Sequence, residues 1–104
     1  MSAGAADFVR EAEMGFSHAE LLSSLPSAVA PYRIDKRSER VYHLHDAAET
    51  GRRVELTLHP ETRRTLAAIT LPVTKVKLEF FNFSADDFED FMRRYKRYLH
   101  KGGG

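Results

Sequence analysis

Two histidines separated by one residue are the clearest candidates for chemistry in this sequence. His43 and His45 lie in a stretch where apolar and polar residues alternate, which predicts a β-strand. Alternate side chains of a strand point the same way, so the two imidazoles would lie on one side, about 7 Å apart. Glu55 would join them if the next strand placed it opposite His43. Two histidines and a carboxylate can bind zinc or non-haem iron, but two solvent-facing histidines beside an acid explain the pattern more simply.

Other reactive groups are missing from the sequence. Its 104 residues include no cysteine, which excludes disulfides, thiolate metal ligands and cysteine nucleophiles. It contains no G-x-S-x-G, H-E-x-x-H or phosphate-binding glycine motif. The acids at 86–90 are explained by helix capping and ion pairing. These absences weigh against enzymatic activity without deciding it, and they predict no cofactor.

The charge balance bears on the kind of partner. Sixteen Lys and Arg residues against fifteen Asp and Glu residues leave a net charge of +1, whereas a protein that coats DNA is usually more basic. Weak nucleic-acid contact through a few surface cations remains an alternative. The candidate residues are Lys36, Arg37, Arg93, Arg97 and Lys101. Ordinary surface electrostatics and the negative end of a helix dipole also account for them.

The N-terminus has neither the basic start nor the apolar core of a signal peptide. No apolar run approaches the ~18 residues of a membrane span. We expect a cytoplasmic protein that does not enter the membrane.

Two segments carry the signature of a helix N-terminus. Ser17 with Glu20, and Ser84 with Asp87, have the spacing of a capping box. The first helix is expected to be short and to end at Pro26. The last helix carries apolar residues at three- and four-residue spacing: Phe88, Phe91, Met92, Tyr95, Tyr98 and Leu99.

Between the helices the apolar pattern has a period of two, which predicts β-strands. The expected strands are 40–46, 52–59, 65–71 and 75–82, with turns at 49–51, 60–64 and 72–74. Residues 32–34 could add a short fifth strand at the edge. Short connections favour an antiparallel meander, in which each strand pairs with the next one in the chain.

One register places the large apolar side chains of these strands on the same face. If paired residues in the first two strands sum to 98, Tyr42 is opposite Leu56 and Leu44 is opposite Val54. The alternation then adds the following residues to this face: Ala67, Ile69, Leu71, Val76, Leu78 and Phe80. We predict an α+β fold, a four- or five-stranded antiparallel meander whose apolar face is covered by a short N-terminal and an amphipathic C-terminal helix.

The domain organisation that follows is simple. We expect a flexible or loosely helical segment at 1–15, a single α+β domain at 16–101 and a tail at 102–104. No linker or low-complexity tract divides the chain.

The other side of the sheet, which we call the open face, is the expected place of function. It would present Val41, His43, His45, Arg53, Glu55, Thr57, His59, Leu66, Ala68, Thr70, Lys75, Lys77, Glu79 and Phe81. A contiguous apolar patch commonly marks a partner surface, and the candidate patch is Val41, Leu66, Ala68 and Phe81. The favoured hypothesis is a small binding or adaptor domain that uses this face in a homodimer or with a larger protein. A metal- or ligand-binding protein using His43, His45 and Glu55 is the main alternative.

Overall fold

The computed structural model describes residues 5–48 and 50–99, which form two helices and six strands. In chain order these are β1 (Phe8–Met14), α1 (His18–Val29), β2 (Arg33–Lys36), β3 (Val41–His45), β4 (Arg53–Leu58), β5 (Thr62–Leu66), β6 (Ile69–Phe81) and α2 (Ala85–Tyr98). Residue 49 of the first predicted turn and the predicted tail at 102–104 lie outside the described residues. Neither described helix is long and apolar enough to cross a membrane.

All the strand pairs are antiparallel, and the main sheet has the order β1-β6-β4-β3-β2. The α+β class, the antiparallel sheet and the N- and C-terminal helices are confirmed. The structure has six strands rather than four or five, and the short edge strand expected near 32–34 is present as β2. The strand order departs from a simple meander, because β1 pairs with the last strand and β6 pairs directly with β4.

The predicted register between the first two central strands is confirmed. Tyr42 pairs with Leu56, and Leu44 pairs with Val54. All four side chains are buried, and the partner strands add Val76, Leu78 and Phe80 to the same cluster. Both helices cover this face, so the core lies between the sheet and a single layer of helices.

Capping boxes begin both helices, as predicted. In each box the serine hydroxyl accepts a hydrogen bond from the backbone N–H three residues later. The carboxylate of that later residue accepts a hydrogen bond from the backbone N–H of the serine. The expected end of the first helix was wrong: α1 continues through Pro26 to Val29. Ala28 and Val29 are both 1% exposed, so burial of the last turn stabilises the helix beyond the proline.

The N-terminal segment forms a strand, which corrects the expectation of a flexible or loosely helical stretch. Phe8 pairs with Phe80, and its ring stacks on Phe88 with 4.5 Å between centroids. The five residues between Phe8 and Met14 are all exposed, which hid the strand from a pattern search based on apolar residues. The sheet therefore extends across the predicted boundary between residues 15 and 16.

The third predicted turn, at 72–74, does not exist. Residues 69–81 form one continuous strand of 13 residues, β6. Leu58 of β4 pairs with Val76, and Thr62 of β5 pairs with Val73. Three residues, 59–61, therefore oppose two, which makes a bulge at a place where Pro60 is tolerated. Strands β4 and β5 thus form one bulged partner along the length of β6.

Beyond the bulge the sheet narrows to two strands, and we call residues 62–73 the arm. Its hairpin turn is Ala67-Ala68, where Ala67 has a φ of 55° and Ala68 has a negative φ, the pattern of a type II′ turn. Ala67, Ile69 and Leu71 were expected on the covered face of the sheet, and this was wrong. Ile69 and Leu71 are 60% and 39% exposed.

Candidate functional site

The two histidines and the glutamate come together on the open face, as the register implies. His43 pairs with Glu55, and their side chains are 3.2 Å apart from Nε2 to Oε1. The ring centroids of His43 and His45 lie 6.0 Å apart. Arg53 also approaches the same carboxylate oxygen of Glu55, at 3.7 Å. No group of three or more His, Asp or Glu side chains within 5–48 and 50–99 has an arrangement that could hold a metal ion.

The centre of the open face is charged rather than apolar. Glu55 and Glu79 are directly opposite each other across β4 and β6. Like charges in this position repel, and nearby cations offset the repulsion. Lys77 lies 3.8 Å from Glu79, and His43 and Arg53 flank Glu55. This mosaic of paired charges is typical of a solvated sheet face.

The four apolar residues proposed as a partner patch do not form one surface. Phe81 ends β6 and is half-buried under the guanidinium of Arg53, which lies 4.2 Å from its ring centroid. Leu66 and Ala68 lie at the tip of the arm, beside the first residue of β6. The 12 steps along β6 between these ends correspond to about 40 Å of extended strand. Val41 is half-buried on β3.

The candidate nucleic-acid residues are partly neutralised. Three of them lie beside acids: Lys36 beside Glu39 (4.0 Å), Arg37 beside Asp35 (3.1 Å) and Arg93 beside Asp90 (2.8 Å). Arg97 is exposed on α2, and Lys101 lies outside the described residues. The first two lie on and just after edge strand β2, whereas Arg93 and Arg97 lie on α2, so the set is divided between two elements.

A cluster around Arg52 escaped the sequence reasoning. Its guanidinium contacts Asp46 at 2.7 Å and Asp87 at 3.1 Å, although these acids are 41 residues apart. Asp46 also accepts hydrogen bonds from the Thr50 hydroxyl (2.6 Å) and the Ala48 amide (3.0 Å). The Thr50 and Ala48 bonds, aided by Arg52, hold the pKa of Asp46 below its ordinary value despite burial. An Asp before a tight glycine turn was the only local signal.

A pocket of about 280 Å³ lies beside this cluster, between the end of α1 and the first turns of α2. Tyr32 and Phe91 form part of its wall, with ring centroids 5.4 Å apart, and burial raises the pKa of Tyr32. Its charged groups are engaged with protein: Arg52 is paired with two acids, and Arg94 donates to the carbonyl of Ser27 at 3.2 Å. These contacts join the two helices to the β3–β4 turn.

The arm is amphipathic, because directly paired residues share a face. One face carries the pairs Leu66–Ile69, Arg64–Leu71 and Thr62–Val73; the other carries Thr65–Thr70 and Arg63–Pro72. We call Leu66, Ile69, Leu71 and Val73 the apolar stripe. Val73 is buried at the base, while Leu66 and Ile69 at the tip are 57% and 60% exposed.

The stripe lies on the same side of the sheet as the open face. Arg64, which shares the stripe's face, forms an ion pair of 2.8 Å with Glu13 at the end of β1. Glu13 pairs with Lys75, an open-face residue, so both belong to that side. The open face is therefore charged at its centre and becomes apolar along the arm.

Comparison with known proteins found no match for this chain among family models, curated proteins or solved structures.

Proposed function

We propose that this chain is a protein-binding domain and that the apolar stripe of the arm is its contact surface. One observation carries the proposal: Leu66, Ile69 and Leu71 are 57%, 60% and 39% exposed on a single face of a two-stranded ribbon. Neither described helix packs extensively on this ribbon, and no described strand other than β5 pairs with residues 69–73.

Such a ribbon gains stability when a partner covers its apolar side. A two-stranded hairpin by itself is marginally stable in water, because it has no layer on which to bury its apolar side. Contiguous exposed apolar surface on a small protein commonly marks a contact with another macromolecule. The opposite face of the arm, with Thr65, Thr70 and Arg63, is polar and suited to remain in water. The arm therefore resembles half of a two-layer structure.

The arm supports this role better than the centre of the open face. The central side chains already satisfy one another through ion pairs such as Lys77–Glu79 and His43–Glu55. Covering them would require removing paired charges from water, which costs free energy unless the partner replaces each contact. Covering the stripe costs less, since its exposed residues are aliphatic and only one described ion pair, Arg64–Glu13, lies beside them on that face.

Site-specific photo-crosslinking in the cells that make the protein tests this proposal. A benzophenone amino acid replaces Leu71 on the stripe or, as the matched control, Thr70 on the opposite face of the same strand. We expect irradiation to join a second polypeptide to the position-71 variant far more efficiently than to the position-70 variant. Equal adducts at both positions, or none at position 71, would contradict the proposal.

A further inference from the structure

We propose that the partner covering the apolar stripe is a second copy of this chain, packed face to face with the first across a two-fold axis. This inference rests on the proposed binding role of the stripe and adds the identity of its occupant.

The outer edge of β6 in the arm is closed to strand addition. His59 donates its amide to the carbonyl of Lys75 at 2.9 Å, so odd-numbered residues of β6 direct their backbone groups toward β4 and β5. The backbone groups of the even-numbered β6 residues in the arm therefore point outward, and Pro72 is one of these residues. Because proline has no N–H, this edge lacks one of the donors that an added strand needs.

The outer edge of β5 would oppose like charges in two of the registers in which a second copy could pair with it. In an antiparallel self-pairing centred on Arg64, the two Arg64 side chains would be directly opposite each other. A pairing centred on Arg63 would oppose the two Arg63 side chains instead. Like charges in directly opposite positions are destabilising. Edge-to-edge association of two copies in these registers is thus disfavoured, whereas contact through the apolar face opposes no like charges.

The face itself is electrically suited to a second copy. Arg64 is the one ionic residue among the three pairs on the stripe's face (Thr62–Val73, Arg64–Leu71 and Leu66–Ile69), and Glu13 neutralises it at 2.8 Å. Two such faces can approach without burying an unpaired charge. Arg63, a cation that could attract an acidic partner, lies on the opposite face. This placement favours a neutral apolar occupant over nucleic acid or an acidic segment.

The size of the stripe predicts a weak, reversible dimer. An entire aromatic side chain carries only about 150–250 Å² of surface, so three partly exposed aliphatic residues supply well under half of the ~800 Å² per partner in a standard interface. We therefore expect a Kd for the dimer in the micromolar range or higher. The two-fold axis passes near Leu71, the middle of the stripe, because this centre brings the tip of each stripe against the base of the other.

Sedimentation of the purified full chain tests the inference directly. The weight-average mass should rise from 11.9 kDa toward twice that value as the concentration increases from about 1 µM to about 1 mM. The Leu66→Thr/Ile69→Thr double variant should weaken association at least tenfold. The matched control Thr65→Ser/Thr70→Ser alters the other face, keeps its hydroxyls and should dimerise as the native chain does. A native chain that stays monomeric at ~1 mM, or a control that weakens association equally, overturns the inference.

A disulfide test reports the geometry, because the chain has no cysteine of its own. Leu71→Cys should form a covalent dimer under mild oxidation, and Thr70→Cys should form much less. Circular dichroism of both variants checks that the fold is retained. Equal cross-linking at both positions overturns the face-to-face arrangement. If the native chain is monomeric and the photo-adduct at position 71 contains a different polypeptide, this inference fails while the proposed function stands; no adduct at position 71 removes both.

Discussion

Replacing Asp46 with alanine should destabilise this protein more than most surface substitutions would. The Asp46 side chain is only 4% exposed and contacts Arg52 at 2.7 Å. It also accepts hydrogen bonds from Thr50 at 2.6 Å and Ala48 at 3.0 Å. Alanine removes all three contacts at once. It leaves Arg52 with Asp87 as its remaining described acidic partner.

The magnitude follows from the burial of the two charges. Removing one partner of a fully buried ion pair costs about 3–5 kcal/mol, and a hydrogen bond to a charged group contributes about 1.5–3 kcal/mol. The Arg52 side chain is 28% exposed, so water and Asp87 can recover part of the loss. We expect Asp46→Ala to lower the free energy of unfolding by about 2–4 kcal/mol. With an ordinary urea dependence, the unfolding midpoint then falls by roughly 1–3 M.

The pH dependence provides a second, independent measurement. The folded state lowers the pKa of Asp46, so its stabilisation is present above the unfolded value of about 3.9. It is lost as the pH falls through the lower folded-state pKa. The isosteric variant Asp46→Asn should therefore be less stable than the native chain at pH 7, and the difference should shrink below about pH 4.

Urea unfolding followed by circular dichroism at pH 7 and at several acidic values measures both effects. An Asp46→Ala cost below about 0.5 kcal/mol, the level of an ordinary surface substitution, would refute the reasoning about this cluster. A stability difference between the native chain and Asp46→Asn that stays constant into strong acid would refute the assigned cause of the pH dependence.

Three further predictions concern two turns and the histidines. Gly51→Ala should lower the free energy of unfolding by about 1 kcal/mol or more, measured from the urea midpoint. Gly51 has a φ of +87°, and a Cβ there would lie 2.8 Å from Nδ2 of Asn82. An unchanged midpoint would count against this conformation. Ala67→Gly should raise stability by a few tenths to about 1 kcal/mol in the same assay, because the φ of 55° at Ala67 suits glycine; a loss would contradict the assigned turn. Purified protein should carry no stoichiometric metal in elemental analysis, and His43→Ala/His45→Ala should not change its metal content; one zinc or iron per chain, lost in the double variant, would revive the metal hypothesis.

The parts of the fold that could be predicted are those with a complete local signal. Ser17 with Glu20 and Ser84 with Asp87 specify their helix starts within four residues, because the capping contacts involve only those residues. The register between β3 and β4 followed from the requirement that Tyr42 and its apolar neighbours share a face. The contact between His43 and Glu55 came from this register.

The arm could not be predicted, because its proline and its turn residues give misleading local signals. Pro72 predicts a turn. Its backbone nitrogen, which carries no hydrogen, lies on the outer edge of β6, so the β5–β6 ladder stays intact. The real turn, Ala67-Ala68, has none of the Gly, Asn or Asp residues that normally announce a hairpin. The assignment of Ile69 and Leu71 to the core followed from this error.

The Arg52 cluster illustrates a different limit. Asp46 and Asp87 come from a turn between strands and from the first turn of α2, and only the packed structure brings them to one guanidinium. Hydrophobic periodicity carries no information about such a contact. The strand β1 was missed for a related reason, since its exposed charged residues weaken the alternation that identifies strands.

The continuity of β6 from the core into the arm restricts how this protein can change in length. Residues 62–73 form a ladder in which each residue of β5 has a fixed partner in β6, so a stable change in arm length must add or remove residues from both strands together. Adding two residues to each strand keeps Leu66, Ile69 and Leu71 pointing to one side. Adding a single residue to each strand turns the tip pair Leu66–Ile69 to the opposite side, away from Leu71. Variants with longer or shorter arms should thus keep a continuous apolar side only in steps of two residue pairs.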